Sequence, residues 1–245
     1  MEIGALALGL VRPQDDSVSK LVDGVVQQLE MAMAVGVLTD GERLPSEAEL
    51  ASKLGVSTVT LRQALTVLRD RGLIETRRGR GGGSYVQDSS DTNRERAEAQ
   101  LRTMSTGKLR DLGDLAGALT GAAAQLAALR ALPEDVARLE GLAQNFADAT
   151  SAGARRRADS RFHIELGIAA QSSHLTTLIV QAQGQVAPLL WVPEWPASDE
   201  TVKEHALIVT AIRDRDPDAA QRHAAAHCAR EVRVLIDRHL ALAAS

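Results

Sequence analysis

Apolar residues return every three or four positions along most of the chain, which predicts helices, and one short stretch breaks that rhythm. Val18, Leu21, Val25, Leu29 and Met33 share a face, so a helix is expected from Ser17 to about Val35, closed by Gly36. A second run follows Ser46, a ready N-cap, with Leu50 and Leu54 four residues apart and Gly55 at its end. Ser57 can cap a third helix almost at once. That helix carries Leu61, Ala64, Leu65 and Leu68 on one stripe, leaving Thr58, Thr60, Arg62 and Gln63 to its exposed side and N-terminal turns. Two short helices joined by a tight glycine turn form a helix-turn-helix, whose second helix fits the major groove of DNA. The rhythm then breaks: Gly72-Leu73-Ile74 and Ser84-Tyr85-Val86 read as extended segments around Arg77-Arg78-Gly79-Arg80-Gly81, a β-hairpin wing.

Beyond the wing, Gln87 to Asp91 is polar and turn-rich, and Thr92 with Glu95 forms a capping box that restarts a helix. From about Leu109 the pattern is helix after helix: Asp111–Arg130, one opened by Pro133, one through Asp159 and His163 to Ala170, and one capped by Ser173. After a break at Leu189–Pro196 that holds both tryptophans, Ser198 and Asp216 start the last two. The expected fold is mostly α: a winged helix-turn-helix followed by an antiparallel bundle of six or seven helices. The expected divisions are an N-terminal extension over 1–16, the winged domain over 17–87, a linker with its helix over 88–108 and the bundle over 109–245.

Composition sharpens this picture in three places. A chain of 245 residues with 2% aromatics, dominated by Ala and Leu, suits packed helices in two domains. The net charge of −4 excludes a general polyanion binder, yet Leu50 to Val86 holds seven basic residues against two acidic ones, a local excess of five where DNA would lie. A single cysteine, Cys228, excludes an internal disulfide and fits a reducing cytoplasm. The apolar run Ile3–Val11 lacks a basic leader, and no run is expected to span a bilayer, so no membrane partner is expected.

The order Leu44-Pro45-Ser46-Glu47, Val56-Ser57, Leu61-Arg62-Gln63-Ala64-Leu65, Gly72-Leu73-Ile74 and Arg77-Arg78-Gly79-Arg80-Gly81 resembles the winged helix of GntR-family bacterial transcription regulators. The resemblance implies a homodimer on a palindromic operator of double-stranded DNA. Thr58, Thr60 and Arg62 would face base edges or nearby phosphates, with Arg43, Arg78 and Arg80 on the backbone or in the minor groove. Ser46, Ser57, Arg77 and Gly81 complete the expected interface. Relatives often carry a basic residue after the Val-Ser pair. Here it is Thr58, which shifts base reading towards Arg62 and the wing.

In the bundle, Asp159 and His163 are one helical turn apart and project from one face. His205 lies on the stripe of Ile208 and Ile212, and His227 on that of Val234 and Leu235. Three imidazoles and a carboxylate suit Zn²⁺ or a similar divalent ion, Ni²⁺ and Mn²⁺ being alternatives; the same residues would equally serve as a hydrogen-bonded core. Asp159-Ser160-Arg161-Phe162-His163, Glu204-His205 through Asp216, and Ala226-His227 resemble the FCD effector domain of the FadR subfamily of GntR regulators. In that subfamily the Asp-x-x-x-His pair and two later histidines bind a metal that helps hold a small carboxylate effector.

Many relatives carry an Arg and a Glu about where this chain has Ala116 and Thr120, so Arg157, Arg161 or Trp191 would have to take over effector binding. The expectation is a ligand-responsive regulator, a repressor released by its effector, with no catalytic residues. Two rivals are a metalloenzyme using Glu165 or Glu204 as general base, and a helical interaction protein whose Asp and His residues are inert core.

Overall fold

The computed structural model describes residues 18–79, 81–87, 90–190 and 198–244, and the chain divides into two compact units after Thr92. Arg80, Trp191 and the 1–16 extension lie outside the described residues. Among the described residues there are ten α-helices and one antiparallel pair of strands, the mostly helical fold with a small hairpin that the sequence predicts.

In the first unit, α1 (Val18–Ala34) lies against α3 (Thr58–Asp70), with α2 (Glu47–Leu54) between them in sequence. The buried face of α1 centres on Val25, Val26, Leu29 and Ala32, with Met33 only partly covered. These pack with Leu50 and Leu54 of α2 and with Leu61, Ala64, Leu65 and Leu68 of α3. Both caps of the helix-turn-helix form. The Ser46 hydroxyl accepts from Glu49 N while Glu49 reaches back to Ser46 N, satisfying two amides that the helix cannot. Gly55 turns the chain at φ +69°, a left-handed conformation that costs glycine nothing, and Ser57 caps α3. Strands β1 (Ile74–Arg77) and β2 (Gly83–Val86) pair Ile74 with Val86 and Arg77 with Gly83, so the wing is a hairpin.

The helix α4 (Ser90–Thr103) starts two residues before the Thr92 expected to cap it. The second unit is then built from α5 (Thr106–Arg130), α6 (Pro133–Asp148), α7 (Ala152–Ala169), α8 (Ser173–Val186), α9 (Ser198–Arg213) and α10 (Pro217–Ala243), with a 3₁₀ turn at Ala187–Leu190. The helix expected from Asp111 begins five residues earlier because the Ser105 hydroxyl caps it through Lys108 N. Likewise Ser172, one residue before the expected cap, accepts from Leu175 N.

Helices α5 and α10 run antiparallel in close contact: a Cβ built on Gly113 would stand 2.8 Å from both γ-methyls of Val232. α5 is also the one helix among the described residues long and apolar enough to cross a membrane, against the expectation of none. Half of its most apolar window is buried within the bundle, as in the core helix of a packed domain.

Candidate functional site

The first unit presents α3 and the wing. Thr58, Val59, Arg62 and Gln63 are exposed along the outer side of α3, and the Arg62 side chain retains 68% of its accessible surface. Its Nε pairs with Glu47 at 2.6 Å, an exposed ion pair that contributes little to stability and leaves the guanidinium free to exchange partners. Thr60 departs from expectation: it is buried, its amide donates to Ser57 Oγ at 3.1 Å, and the two hydroxyls lie 2.8 Å apart. It secures the start of α3 and does not face outward with Thr58.

In the wing, Arg43 Nη2 donates to the Gly82 carbonyl at 2.7 Å and the Tyr85 hydroxyl donates to the Gly81 carbonyl at 2.7 Å. Arg77 lies 4.2 Å over the Tyr85 ring and also meets Glu75. Arg43 and Arg77 therefore brace the hairpin as well as charging it, and Arg78 is exposed beside them.

The second unit brings Asp159, His163, His205 and His227 together in complete burial, from α7, α9 and α10. Each imidazole turns Nε2 inward. His163 Nε2 and His227 Nε2 are 3.2 Å apart, and Asp159 Oδ1 is 3.1 Å from His205 Nε2 and 3.5 Å from His227 Nε2. Asp159 Oδ2 is 3.6 Å from His163 Nε2. Two donors each bound to one zinc ion at its usual bond lengths stand about 3.0–3.4 Å apart, so the spacing and the donor types fit a divalent metal.

Two of the three outer nitrogens are held from behind, while His205 Nδ1 is buried with no hydrogen-bond partner among the described residues. His163 Nδ1 lies 3.4 Å from Thr120 Oγ1, and His227 Nδ1 lies 2.7 Å from Glu204, which Arg230 grips through Nε and Nη2. Such backing fixes ring orientation. Phe162 stacks on His205 at 4.1 Å and Phe146 meets the same ring edge-on, closing the cluster with apolar surface.

Sequence reasoning missed Glu231. It is one turn beyond His227 on the buried stripe of α10, and its carboxylate joins Asp159, His163 and His227 in a set of ligand atoms all within 4.8 Å of one another. The signal was legible: His227 and Glu231 repeat the i, i+4 spacing of Asp159 and His163, on a face otherwise apolar. Arg156, buried one turn before Asp159, was also passed over. Arg157 is half-buried and Arg161 exposed, each two residues from Asp159 and hence roughly 200° around α7 from it.

Charge within the cluster is tightly shared. Burial opposes ionisation of Asp159, but the three imidazoles outweigh it and hold its carboxyl well below the usual range. His205 is pushed down to about 4, chiefly by burial. Burial acts the same way on His227, yet Glu231, Asp159 and Glu204 overcome it and lift that imidazole to about 10. Glu231 is pushed up to about 8 by burial and by the Asp159 carboxylate. Glu204, despite its own desolvation, is held at about 2 by His227 and Arg230. Glu204 is engaged by His227 and Arg230, and Glu165, which burial pushes up, by Arg138 at 2.7 Å. Burial pushes the Cys228 thiol up, as befits a core residue.

Comparison with known proteins places both units. Residues 21–83 match the family described as bacterial regulatory proteins, gntR family, and residues 111–230 match the FCD domain. The HTH-type transcriptional regulator RmpR of Mycobacterium gastri is 38% identical over 224 residues, covering 90% of this chain and 82% of its own length. The chain belongs to the GntR family. The Glc operon transcriptional activator of Escherichia coli K12 is 31% identical, covering 83% of this chain and 84% of its own. The structure of E. coli McbR/YncC shares the fold at TM-score 0.55 and 19% identity, over 89% of this chain and 97% of that one. This GntR protein is therefore a ligand-responsive, DNA-binding transcription regulator, from a family of regulators and not of enzymes.

Proposed function

We propose that the regulator acts as a cytoplasmic homodimer on a palindromic operator and represses until a small molecule releases it. The observation that carries the reading is the exposed face of α3, on which Arg62 is exposed though paired with Glu47, together with an arginine-bearing wing in the same unit. Arg62 would read base edges, with Thr58 and Gln63 beside it, while Arg43, Arg77, Arg78 and Arg80 engage phosphates or the minor groove. Ser46, Ser57 and Gly81 offer short polar or backbone contacts to the duplex; Thr60 contributes by holding the start of α3. The winged domain would span 17–87, the linker 88–108 and the effector domain 109–245.

In the second unit, Asp159, His163, His205 and His227 would hold a divalent metal, zinc first and nickel or manganese as alternatives. The metal would supply a Lewis-acidic coordination position within the buried cluster, to which an anionic effector can bind. Arg156, buried one turn before Asp159, would contact the effector ahead of Arg157, with Trp191 as a further contact; exposed Arg161 is better suited to the surface. Effector binding would favour one arrangement of the bundle, and α4 would pass the difference to the DNA-reading unit.

Nuclease footprinting on DNA upstream of the chain's own coding sequence tests the operator. Two protected half-sites related by two-fold symmetry are expected; a single asymmetric half-site would contradict the dimeric reading.

A further inference from the structure

Glu231 is 2% exposed, and among the described residues its Oε1 has no hydrogen-bond partner, as is true of Asp159 Oδ2 beside it. An unsatisfied carboxylate in a buried site is costly, so the position calls for a cation or a proton. Its two oxygens are directed at the inward nitrogens: Oε2 lies 3.9 Å from His163 Nε2 and Oε1 3.9 Å from His227 Nε2. Those are the nitrogens that a metal would occupy, and small side-chain adjustments would bring a Glu231 oxygen to ligand spacing.

We propose that Glu231 is itself a metal ligand, occupying the coordination position where a carboxylate effector would otherwise bind. This rests on the metal reading above and deepens it. With neutral imidazoles from His163, His205 and His227, the carboxylates of Asp159 and Glu231 balance the two charges of a divalent ion, so the buried site is neutral when loaded. The consequence is regulatory. A simple carboxylate reaches the metal only by displacing Glu231, so weak monocarboxylates are excluded. An effective ligand is one with further contacts, strong enough to move a residue of α10.

The test uses the full chain, stripped with chelator and reloaded with Co²⁺, whose visible absorption bands report coordination number, and with Zn²⁺ for affinity. Wild type should bind one ion per chain and keep its Co²⁺ spectrum unchanged when acetate is titrated in. Glu231→Gln should weaken Zn²⁺ affinity at least about tenfold and acquire an acetate-dependent spectrum, because a position has opened. Glu231→Asp should recover part of the affinity. If Glu231→Gln matches wild type in affinity, spectrum and acetate response, the role of Glu231 is refuted while the metal site stands. If wild type takes up neither ion, both readings fall. The acetate titration of wild type needs no variant, so a fold-disrupting substitution does not protect the proposal: a spectral change there overturns it.

Discussion

His227 keeps its proton in the metal-free protein up to about pH 10, against an ordinary value of 6.5, because Glu231, Asp159 and Glu204 surround it. A raised imidazole contributes stability that is complete below 6.5 and is lost as the pH climbs towards 10. Glu231, raised from 4.5 to about 8, must ionise in burial as the pH rises through that interval, which also disfavours the folded state. His205 titrates between about 4 and 6.5, below the region where both effects act together. Metal-free protein should therefore lose stability between pH 6.5 and 8, measured by urea unfolding in the presence of chelator; a gain would contradict the charge assignment. Metal loading must displace these protons, so affinity for Zn²⁺ should rise with pH, about tenfold per unit for each proton released, by titration calorimetry. On the first unit, Arg62→Ala should cost about 1–3 kcal/mol, roughly fivefold to 150-fold in operator affinity, with the circular dichroism spectrum unchanged. Full retention of affinity would remove α3 as the reading helix.

At the scale of elements, caps and close contacts set where helices stand. Ser57→Ala removes the acceptor for Thr60 N and the partner of the Thr60 hydroxyl, so it should lower stability by about 1 kcal/mol in a thermal melt. Gly113→Ala places a methyl against Val232 and should cost about 1–3 kcal/mol despite the better helix propensity of alanine; a raised melting temperature would show that the two helices can part.

The elements themselves were largely legible. Gly55, Pro133 and Asp216 punctuate the chain as their backbone chemistry requires, and the apolar stripe of α3 is buried as its spacing predicts. What sequence left out follows from tertiary context. Ser172 and Ser105 cap where neighbouring serine or charged residues competed for the role. Thr60 turns inward because the Ser57 cap captures its amide and hydroxyl. Glu231 belongs to no motif that sets it apart from the other acids of a long helix, although its place on the stripe of Ala224, His227 and Leu235 marks it as buried.

For the whole molecule, the two units divide the work: a basic, exposed surface in the first and a buried set of acids and imidazoles in the second. The function requires that occupancy of the second alter the affinity of the first, a coupling free energy of about 1–3 kcal/mol in typical regulators. The decisive measurement is fluorescence anisotropy of a labelled operator duplex titrated with metal-loaded regulator, alone and with each small molecule that raises its melting temperature. At least one such ligand should shift the DNA-binding midpoint roughly fivefold or more, and the shift should vanish in His163→Ala, which still binds DNA. Operator affinity indifferent to every ligand that binds the second unit would contradict the account.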